Sequence, residues 1–395
     1  MLRVAYLFER FPSFGQTFCY REVAELVRQG ADVTVFSIRR PTGEPPQDWD
    51  ESIVRRVHYL PEEAALTKEI EAAVHRRELP AEAVRALEQW GRQSDFLRLY
   101  QAAYVGLRLR AAGITRVHAH FAGMAARTVY WLRQFFGVAY SITAHANDIF
   151  TPRDFAVSLE MIMRDAAAVV TVSDFSAAHL RERFPDCAPK FHRVYNGVEP
   201  GAFRQSDFSA EPPLILAIGR LIEKKGLAQL ISACRFLAVR GRSFRCEIIG
   251  EGPLEESLAA HIAHSHLEDH VKLLGTRTQS QIVERLAAAT VFALPCATEA
   301  GGGMDNLPTV IMEAMAAGLP VISTPIAGVP EMVQPGATGE LVPPNEPLAL
   351  ADAIERIIGD QQRARQLGAA GRELAAEKFS VETNVRALAA ILAGP

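Results

Sequence analysis

The sequence predicts an α/β protein made of two Rossmann-like domains in tandem. Short apolar runs that favour β structure alternate with helical stretches in both halves of the chain. Such alternation predicts parallel sheets covered by helices on both faces. The 395 residues exceed what one hydrophobic core usually serves. A stretch with turn dipeptides, at 191–203, separates the two series of elements and is the predicted linker.

The first half opens with a predicted strand at 2–8, where a short apolar run favours β structure. A helix is predicted at about 17–29, Gly30 suits its C′ position, and a strand follows at 31–38. Residues 62–112 are rich in Ala, Leu, Glu and Arg at helical spacing, and predict an insertion of two or three helices. Further strands are predicted at 115–121, 139–145 and 167–173.

The second half repeats this pattern after the turn dipeptide Asn196-Gly197. We predict an N-terminal domain at 1–198, a C-terminal domain at 199–378, and a segment at 379–395 whose helix is a candidate to cross back to the first domain. In open parallel sheets, ligands bind outside the carboxyl ends of the strands. Strands are predicted at 213–219, 244–250, 270–275, 290–295 and 318–324.

The composition argues against several classes of protein. No apolar run approaches the ~20 residues that span a bilayer, and the N-terminus is predicted to be a strand and not a signal peptide. The five cysteines are scattered without a CxxC pair, which argues for a reducing compartment and against a disulfide framework or a zinc site. The net charge is −4 and no domain is strongly basic, so nucleic acid is not the expected partner. We expect a cytoplasmic protein.

Seven arginines in the first half could touch anionic lipid or a lipid diphosphate, as a peripheral contact with the cytoplasmic face of the inner membrane. Their helical region equally fits a solvated helix face, and the sequence leaves both interpretations open. The oligomeric state is open as well. The arginines are Arg76, Arg77, Arg85, Arg92, Arg98, Arg108 and Arg110.

The densest set of candidate site residues is DNLPTVIME, at 305–313. Pro308 suits the first turn of a helix, because its missing N–H is one that a helix leaves unpaired. The free amides around 307–310 would then form a positive helix end that attracts phosphate. Asp305 precedes this end and Glu313 lies further along the helix, so each acid could accept hydrogen bonds from sugar hydroxyls.

A second set of candidate residues is GRLIEKKG (219–226), which follows the first predicted strand of the second domain. Arg220 and Lys225 flank a loop at the carboxyl end of that strand. Two cations held there would stabilise the negative charge on the terminal phosphate of a departing nucleotide diphosphate. Lys224 is predicted to form a surface salt bridge.

Six further motifs occur in order along the chain: FPSFGQTF (11–18), HAHF (118–121), TAHANDIF (143–150), VSDFS (172–176), YNGVE (195–199) and GEGP (250–253). Together with GRLIEKKG and the two acids, they closely resemble the family-4 retaining glycosyltransferases over nearly the whole chain. The members most similar to it build bacterial exopolysaccharide or lipopolysaccharide. The resemblance implies the GT-B fold, in which two Rossmann-like domains face each other across a cleft. It also implies a nucleotide-sugar donor on the second domain, a glycan or lipid-linked glycan acceptor on the first, and no metal or other cofactor.

The resemblance implies residue roles as well. Arg220 and Lys225 match the cations that grip the donor diphosphate, and Glu313 matches the glutamate that holds the donor ribose. Asp305 falls where the family usually has a glutamate on the transferred sugar, and His145 matches the histidine that faces this sugar. The predicted catalytic residues are His145, Arg220, Lys225 and Asp305. The other predicted donor contacts are Gly250, Leu274, Asn306, Leu307, Pro308 and Thr309, and the predicted acceptor side is Gly15, Gln16, His120, His145 and Asp148.

Four departures from the family pattern bear on specificity more than on reaction type. Asp305 is one methylene shorter than the usual glutamate, and Gln16 stands where a glutamate is frequent. Ala146 replaces a commoner glycine, and AGGG (300–303) lengthens the loop before Asp305. The donor base, the sugar, the acceptor and the linkage stay open.

Three histidines of the first half, His118, His120 and His145, lie at the ends of predicted strands. His118 and His120 alternate along a strand end and could look like a metal pair. No Asp-x-Asp or Cys partner accompanies them, so we expect them to be satisfied in a cleft or core and to hold no metal. His145 differs, because Asp148 follows it by three residues and could orient it.

The predicted mechanism is a front-face displacement, in which the leaving phosphate accepts the proton of the acceptor. An NAD(P)-dependent oxidoreductase or epimerase is one alternative. It would need a G-x-G-x-x-G turn, and the GEGP turn at 250–253 lacks the third glycine. A nucleotide-sugar-binding protein without transferase activity is the other, and the change at Asp305 is compatible with it.

Overall fold

The computed structural model describes residues 2–90, 95–151 and 154–394. The chain divides into two compact units. The first consists of Met1–Glu44, Trp49–Val194 and Asn384–Pro395, and the second of Pro45–Asp48 and Tyr195–Thr383.

The strands of the first unit are β1 (Arg3–Arg10), β2 (Asp32–Arg39), β3 (Val57–Tyr59), β4 (Arg116–His120), β5 (Ala139–Ala144), β6 (Ala168–Thr171) and β7 (Phe191–Arg193). They form one parallel sheet in the order β3-β2-β1-β4-β5-β6-β7. The helices of this unit are α1 (Thr17–Arg28), α2 (Glu51–Val54), α3 (Glu63–His75), α4 (Ala81–Trp90), α5 (Phe96–Ala112), α6 (Met124–Phe136), α7 (Ala146–Phe150), α8 (Leu159–Asp165) and α9 (Asp174–Arg183).

The strands of the second unit are β8 (Leu214–Ile218), β9 (Arg245–Ile249), β10 (Val271–Leu273), β11 (Val291–Leu294), β12 (Val321–Ser323) and β13 (Gly339–Leu341). They also form a parallel sheet, in the order β10-β9-β8-β11-β12-β13. The helices are α10 (Leu227–Val239), α11 (Glu255–His264), α12 (Gln279–Ala288), α13 (Thr309–Ala316), α14 (Pro347–Ile358), α15 (Gln361–Lys378) and the final α16 (Val381–Ala393).

The central strands of both sheets are covered on both faces. All residues of β6, β8 and β11 are buried. Strands of this kind appear in a sequence as continuous apolar runs, which is why the sequence located them. Burying one Val, Leu, Ile or Phe side chain contributes about 1.5–3 kcal/mol, so these runs supply much of the stability of each sheet.

The strands that the sequence analysis missed are short and lie at sheet edges. β3, β7 and β13 have three residues each, and each ends its sheet on one side. Three residues are too few to show a strand period, so other residues of the sheet decide their pairing. Residues 191–193 were predicted to belong to the linker, and this was wrong because they form β7, which pairs with β6.

The boundary between the two units falls within the last helix, α16. Its first turn belongs to the second unit, and the chain from Asn384 onward belongs to the first. Within the first unit, the Arg116 guanidinium donates a hydrogen bond of 2.9 Å to the carbonyl of Leu392. In the part of the chain that the structure describes, no helix is both long and apolar enough to cross a bilayer.

Gly226 provides a test of how the loop after β8 is held. Its φ is +65°, and a Cβ at this position would lie 1.8 Å from the carbonyl oxygen of Pro295. Gly241 has a similar φ of +69° with nothing within 4 Å of the added Cβ. We expect Gly241→Ala to cost about 1–2 kcal/mol, from its left-handed backbone alone. Gly226→Ala should cost at least about 2 kcal/mol more, because backbone must move.

Chemical denaturation of the two variants, followed by circular dichroism, measures this difference in the free energy of unfolding. Equal losses for both variants would show that the loop tolerates a side chain at position 226.

Candidate active site

Four of the predicted donor-site segments come together at the carboxyl edge of the second sheet. Arg220 follows β8, Gly250 follows β9 and Leu274 follows β10, and these strands are neighbours. The amide of Gly219 donates a hydrogen bond of 2.9 Å to the carbonyl of Ile249. The amide of Gly250 donates one of 2.9 Å to the carbonyl of Gly275, the residue after Leu274. The loop that carries Asp305 follows β11, the neighbour of β8 on the other side.

Glycine at position 250 allows the first two loops to meet. Its φ is +144°, and a Cβ there would lie 1.9 Å from the carbonyl oxygen of Gly219. The backbone that carries Arg220 therefore lies directly against the backbone of Gly250. The Arg220 side chain is exposed.

Asp305 is surrounded by positive charge. The Lys225 ammonium forms an ion pair with one carboxylate oxygen of Asp305, and the Lys224 ammonium lies 3.8 Å from the other. Gly219 makes room for this arrangement, since a Cβ there would lie 3.2 Å from Cε of Lys225. One carboxylate thus faces two ammonium groups, so the formal charges of Lys224, Lys225 and Asp305 do not cancel.

Lys224 is the residue that sequence reasoning misjudged. It was predicted to form a surface salt bridge, but it is only 4% exposed. Glu223–Lys225 is a short 3-10 turn, so no helical or strand periodicity distinguishes the buried lysine from an exposed one.

The N-terminal end of α13 follows Asp305 closely in the chain. Pro308 occupies the N-cap, one position before the first helical residue, and not the first turn as predicted. The amides of the first residues of a helix have no acceptor within the helix, so Thr309 and Val310 present a positive end. The carbonyl of Asn306 accepts a hydrogen bond of 2.9 Å from Gly328, which fixes the turn before the helix. Leu307 is buried in the same turn.

Glu313 lies in the middle of α13 and is 2% exposed. The helix therefore holds this carboxylate in the interior of the second unit, about one turn after the N-terminal end of the helix. A carboxylate at such a depth contacts a ligand only if the ligand reaches the same depth.

In the first unit, the predicted residues His120, His145 and Asp148 lie at the carboxyl ends of β4 and β5. His145 follows β5 at the N-cap of α7, and its backbone N–H donates a hydrogen bond of 2.9 Å to the carboxylate of Asp148. Asp148 therefore holds the backbone of His145 in place. Burial raises the pKa of Asp148 to about 6, although hydrogen bonds from the backbone lower it.

His120 contacts His145 and has no exposed surface. Its Nδ1 lies 3.1 Å from Nε2 of His145, and its Nε2 lies 2.9 Å from a carboxylate oxygen of Glu22. We predicted His120 on the acceptor side, and a side chain without exposed surface cannot contact an acceptor there. It lies instead behind His145, which is 7% exposed.

The same buried region could look like a metal centre. Among the described residues, ligand atoms of Glu22, His118 and His120 lie within 4.8 Å of one another. The two ring nitrogens of His118, however, lie 2.8 Å from the Ser141 hydroxyl and 2.9 Å from the Thr143 hydroxyl. These partners satisfy His118 by hydrogen bonds, as the sequence led us to expect. Metal independence stays a prediction.

Gly15 and Gln16 belong to a short 3-10 turn between β1 and α1. Gly15 is exposed and Gln16 is half-buried. Glu44 holds this turn, because its carboxylate accepts hydrogen bonds of 2.6 Å from the amide of Phe14 and 3.1 Å from the hydroxyl of Ser13.

Three of the six described arginines of the helical insertion form ion pairs with nearby acidic side chains. Arg98 is buried, so it cannot contact a membrane surface. Arg92 lies outside the described residues. Arg76, Arg85 and Arg108 form ion pairs with Glu78, Glu82 and Glu69. The membrane contact stays a prediction.

Two family models match the chain in succession. The model of Glycosyltransferase Family 4 matches residues 15–201, and the model of Glycosyl transferases group 1 matches residues 199–374. Together they extend through both units. The chain belongs to the family-4 glycosyltransferases.

Two bacterial relatives of this glycosyltransferase are named as glycosyltransferases of polysaccharide biosynthesis. The putative colanic acid biosynthesis glycosyltransferase WcaL of Escherichia coli K12 is 28% identical over 410 residues, which cover 99% of each chain. The amylovoran biosynthesis glycosyltransferase AmsK of Erwinia amylovora is 39% identical over 207 residues, which cover 52% of this chain and 51% of AmsK. The second match therefore spans about half the length of that relative.

A solved structure confirms the predicted fold class. Anabaena HepE in complex with UDP has a TM-score of 0.75 and 19% sequence identity, and the match covers 100% of both chains. At this identity the likeness shows the fold alone. The GT-B fold, with two parallel-sheet Rossmann-like domains, was predicted correctly.

The cluster around Asp305 predicts how this glycosyltransferase responds to loss of one acid. In Asp305→Asn, Lys224 and Lys225 would no longer face a carboxylate that competes with a bound anion. We expect inorganic pyrophosphate to bind at least about tenfold more tightly, which corresponds to about 1.4 kcal/mol. Isothermal titration calorimetry at fixed ionic strength measures the change.

Glu340→Gln is the matched control, since Glu340 pairs with Arg356 elsewhere in the same unit. It should leave the affinity for pyrophosphate unchanged. An unchanged affinity in Asp305→Asn would contradict the assignment of the lysines to an anion site.

Proposed function

We propose that this protein transfers a sugar from a nucleotide-diphosphate sugar to a glycan or lipid-linked glycan acceptor, with retention of configuration and without a metal ion. One observation carries the proposal. Two lysines, an exposed arginine and the N-terminal end of α13 occur at the carboxyl edge of the second sheet. Cations and a helix end at such an edge suit a diphosphate.

The names of the relatives support a role in surface polysaccharide biosynthesis. WcaL and AmsK are named for colanic acid and amylovoran biosynthesis. HepE has been solved with UDP-glucose, whereas a mycobacterial relative is named as a GDP-mannose-dependent mannosyltransferase. These names differ in the donor base, so they leave it open. The proposed location is the cytoplasm, and a peripheral contact with the cytoplasmic face of the inner membrane stays open.

The proposed reaction occurs on one face of the sugar. The bond between the anomeric carbon and the diphosphate oxygen breaks, and the acceptor oxygen forms a new bond to the same carbon. The acceptor proton passes to the departing diphosphate, whose negative charge Arg220 and Lys225 stabilise. In this scheme the leaving group is the base, so no separate inverting base is required. His145 has the role that the resemblance assigns to it, facing the transferred sugar.

Lys225 is the residue whose loss should affect transfer most clearly. We expect Lys225→Ala to lower the rate of transfer at least ~100-fold, because a charge-stabilising contact to the leaving group is lost. Release of the nucleoside diphosphate, with chromatographic detection of the glycosylated acceptor, measures the rate.

Lys272→Ala is the control for this variant, because Lys272 is an exposed lysine on β10 of the same unit. It should transfer at the wild-type rate. Near-normal transfer by Lys225→Ala would remove Lys225 from the diphosphate site.

The donor nucleotide can be identified by measuring how much each candidate stabilises the folded protein. A nucleotide that binds the folded protein at 100 times its Kd raises the free energy of unfolding by about 2.7 kcal/mol. We therefore expect one of UDP, GDP and ADP to raise the Tm clearly above the other two, and its sugar conjugate to support transfer.

The same assay tests metal independence. Excess EDTA should leave both the thermal shift and the transfer rate unchanged, and loss of either would contradict the metal-independent mechanism. Binding of a nucleotide sugar without any release of nucleoside diphosphate, across a panel of acceptors, would favour a binding protein without transferase activity.

A further inference from the structure

Helices α5 and α6 of the first unit begin side by side at the carboxyl edge of the sheet. α5 leads into β4 and α6 follows it, and such helices run opposite to the parallel strands that they connect. The Arg127 guanidinium on α6 forms an ion pair with the carboxylate of Asp95, the residue before α5. The hydroxyl of Thr128 donates a hydrogen bond of 3.2 Å to Oε1 of Gln101 on α5. These two contacts hold the N-terminal halves of the helices together.

Among the described residues, no side chain caps either of these helix ends. Asp95 occupies the N-cap of α5, but its carboxylate accepts no hydrogen bond from the first turn. Gly123 occupies the N-cap of α6 and has no side chain that could accept one. The first amides of a helix have no acceptor within the helix, so each end has a partial positive charge. Neither first turn contains an acidic residue that would balance this charge.

Arg98 adds a full positive charge at the same place. It lies in the first turn of α5, where its amide donates a hydrogen bond of 2.8 Å to the carbonyl of Asp95. Helical side chains lean towards the N-terminus, so the guanidinium stays near the helix end. The side chain is only 7% exposed. Nε of Arg98 and one carboxylate oxygen of Asp95 have no hydrogen-bond partner among the residues that the structure describes.

The charges of this cluster do not cancel, because two buried guanidinium groups share the carboxylate of Asp95. Glu9 is the other acid that acts on both arginines, and it already pairs with Arg39 at 3.4 Å. Burial, and then repulsion from Arg127, lower the pKa of Arg98 to about 10, so it stays charged at neutral pH. Buried charges without a partner destabilise a fold, and a helix N-terminus disfavours cations. A bound anion would remove both costs.

The loop between β4 and α6 connects this cluster to His145. The carbonyl of Gly123 accepts a hydrogen bond of 3.3 Å from Nε of Arg127. The backbone of Ala122 forms a hydrogen bond to the carboxylate of Asp148, which also accepts one from the backbone of His145. A Cβ added to Gly123 would have nothing within 4 Å. The helix end at Gly123 therefore has free space beside it, in the loop that holds His145.

We propose that Arg98, Arg127 and the N-terminal ends of α5 and α6 bind a phosphate or diphosphate group that the sugar acceptor carries. This inference rests on the proposed function and names the class of its acceptor. Guanidinium groups bind phosphate oxygens through charge-assisted hydrogen bonds, and helix ends bind them through free amides. Phe155, which is 37% exposed, has its ring centroid 3.6 Å from Cζ of Arg127. An apolar ring beside the cluster suits a lipid diphosphate, and a sugar phosphate has the same anionic group.

Arg98→Met tests the proposal through anion binding. Each protein in this experiment also carries Lys225→Ala, so that the proposed donor site contributes little. The probes for isothermal titration calorimetry are inorganic pyrophosphate, farnesyl diphosphate and glucose 1-phosphate. We expect Arg98→Met to weaken the binding of pyrophosphate at least about tenfold, because charge-assisted hydrogen bonds are lost. Tighter binding of farnesyl diphosphate than of glucose 1-phosphate would identify a lipid diphosphate as the source, and the reverse order a sugar phosphate.

Arg108→Met is the matched control, because Arg108 lies on the same helix and pairs with Glu69 at 2.9 Å. It should leave the affinity for all three probes unchanged. Thermal unfolding without ligand adds a second readout. Arg98→Met should have a Tm equal to or above that of the parent protein, since it removes a buried charge that lacks compensation. A lower Tm together with unchanged affinity would show a structural role for Arg98 and overturn the proposal.

Two variants at Gly123 test the site without removing a buried side chain. Asp and Asn are both favourable N-cap residues of similar shape, so Gly123→Asp and Gly123→Asn should each stabilise α6. Only the aspartate places a negative charge beside the arginines. We expect Gly123→Asp to bind pyrophosphate at least about tenfold more weakly than Gly123→Asn, and equal affinities would overturn the proposal.

These results separate the proposal from the proposed function. If the wild type transfers no sugar from any donor, the proposed function fails. The loss of pyrophosphate binding in Arg98→Met still decides whether the first unit holds an anion site.

Discussion

The parallel pairing of the strands is the constraint on which the rest of this structure depends. In a parallel sheet all carboxyl ends lie at one edge, so each strand delivers its following loop to the same place. The second unit brings the loops after β8, β9, β10 and β11 together in this way. In the first unit, β1, β4 and β5 do the same for α1, His120 and His145. Each set of candidate residues therefore follows from strand order before any side-chain contact is considered.

In both units one acid lies against a group of basic side chains. In the second unit Asp305 faces Lys224 and Lys225 and leaves a net positive charge. In the first unit Glu22 contacts His120, which contacts His145 in turn. Removing one partner from a buried pair leaves an uncompensated charge, which is costly in a medium of low polarity. Each acid therefore contributes to the stability of the arrangement around it.

Motifs and apolar runs carried the sequence-based predictions that succeeded. Long central strands such as β1 and β8 have continuous apolar runs, and three helices formed where 62–112 showed helical spacing. The family resemblance gave the fold and the enzyme class. The family models agree with the enzyme class, and the solved structure agrees with the fold. The edge strands β3, β7 and β13 were not predicted, because pairing with a neighbour and not local pattern makes them strands.

By itself, the sequence determined the α/β class, the two Rossmann-like domains and the loops in which candidate residues lie, because these depend on local periodicity and on motif order. Only the tertiary structure decided that Lys224 is buried beside Asp305 and that His120 lies behind His145 with Glu22. Glu22 and His120 are 98 positions apart in the chain. No local pattern links residues at such a separation; the pairing of β1 with β4 and the packing of α1 bring them into contact.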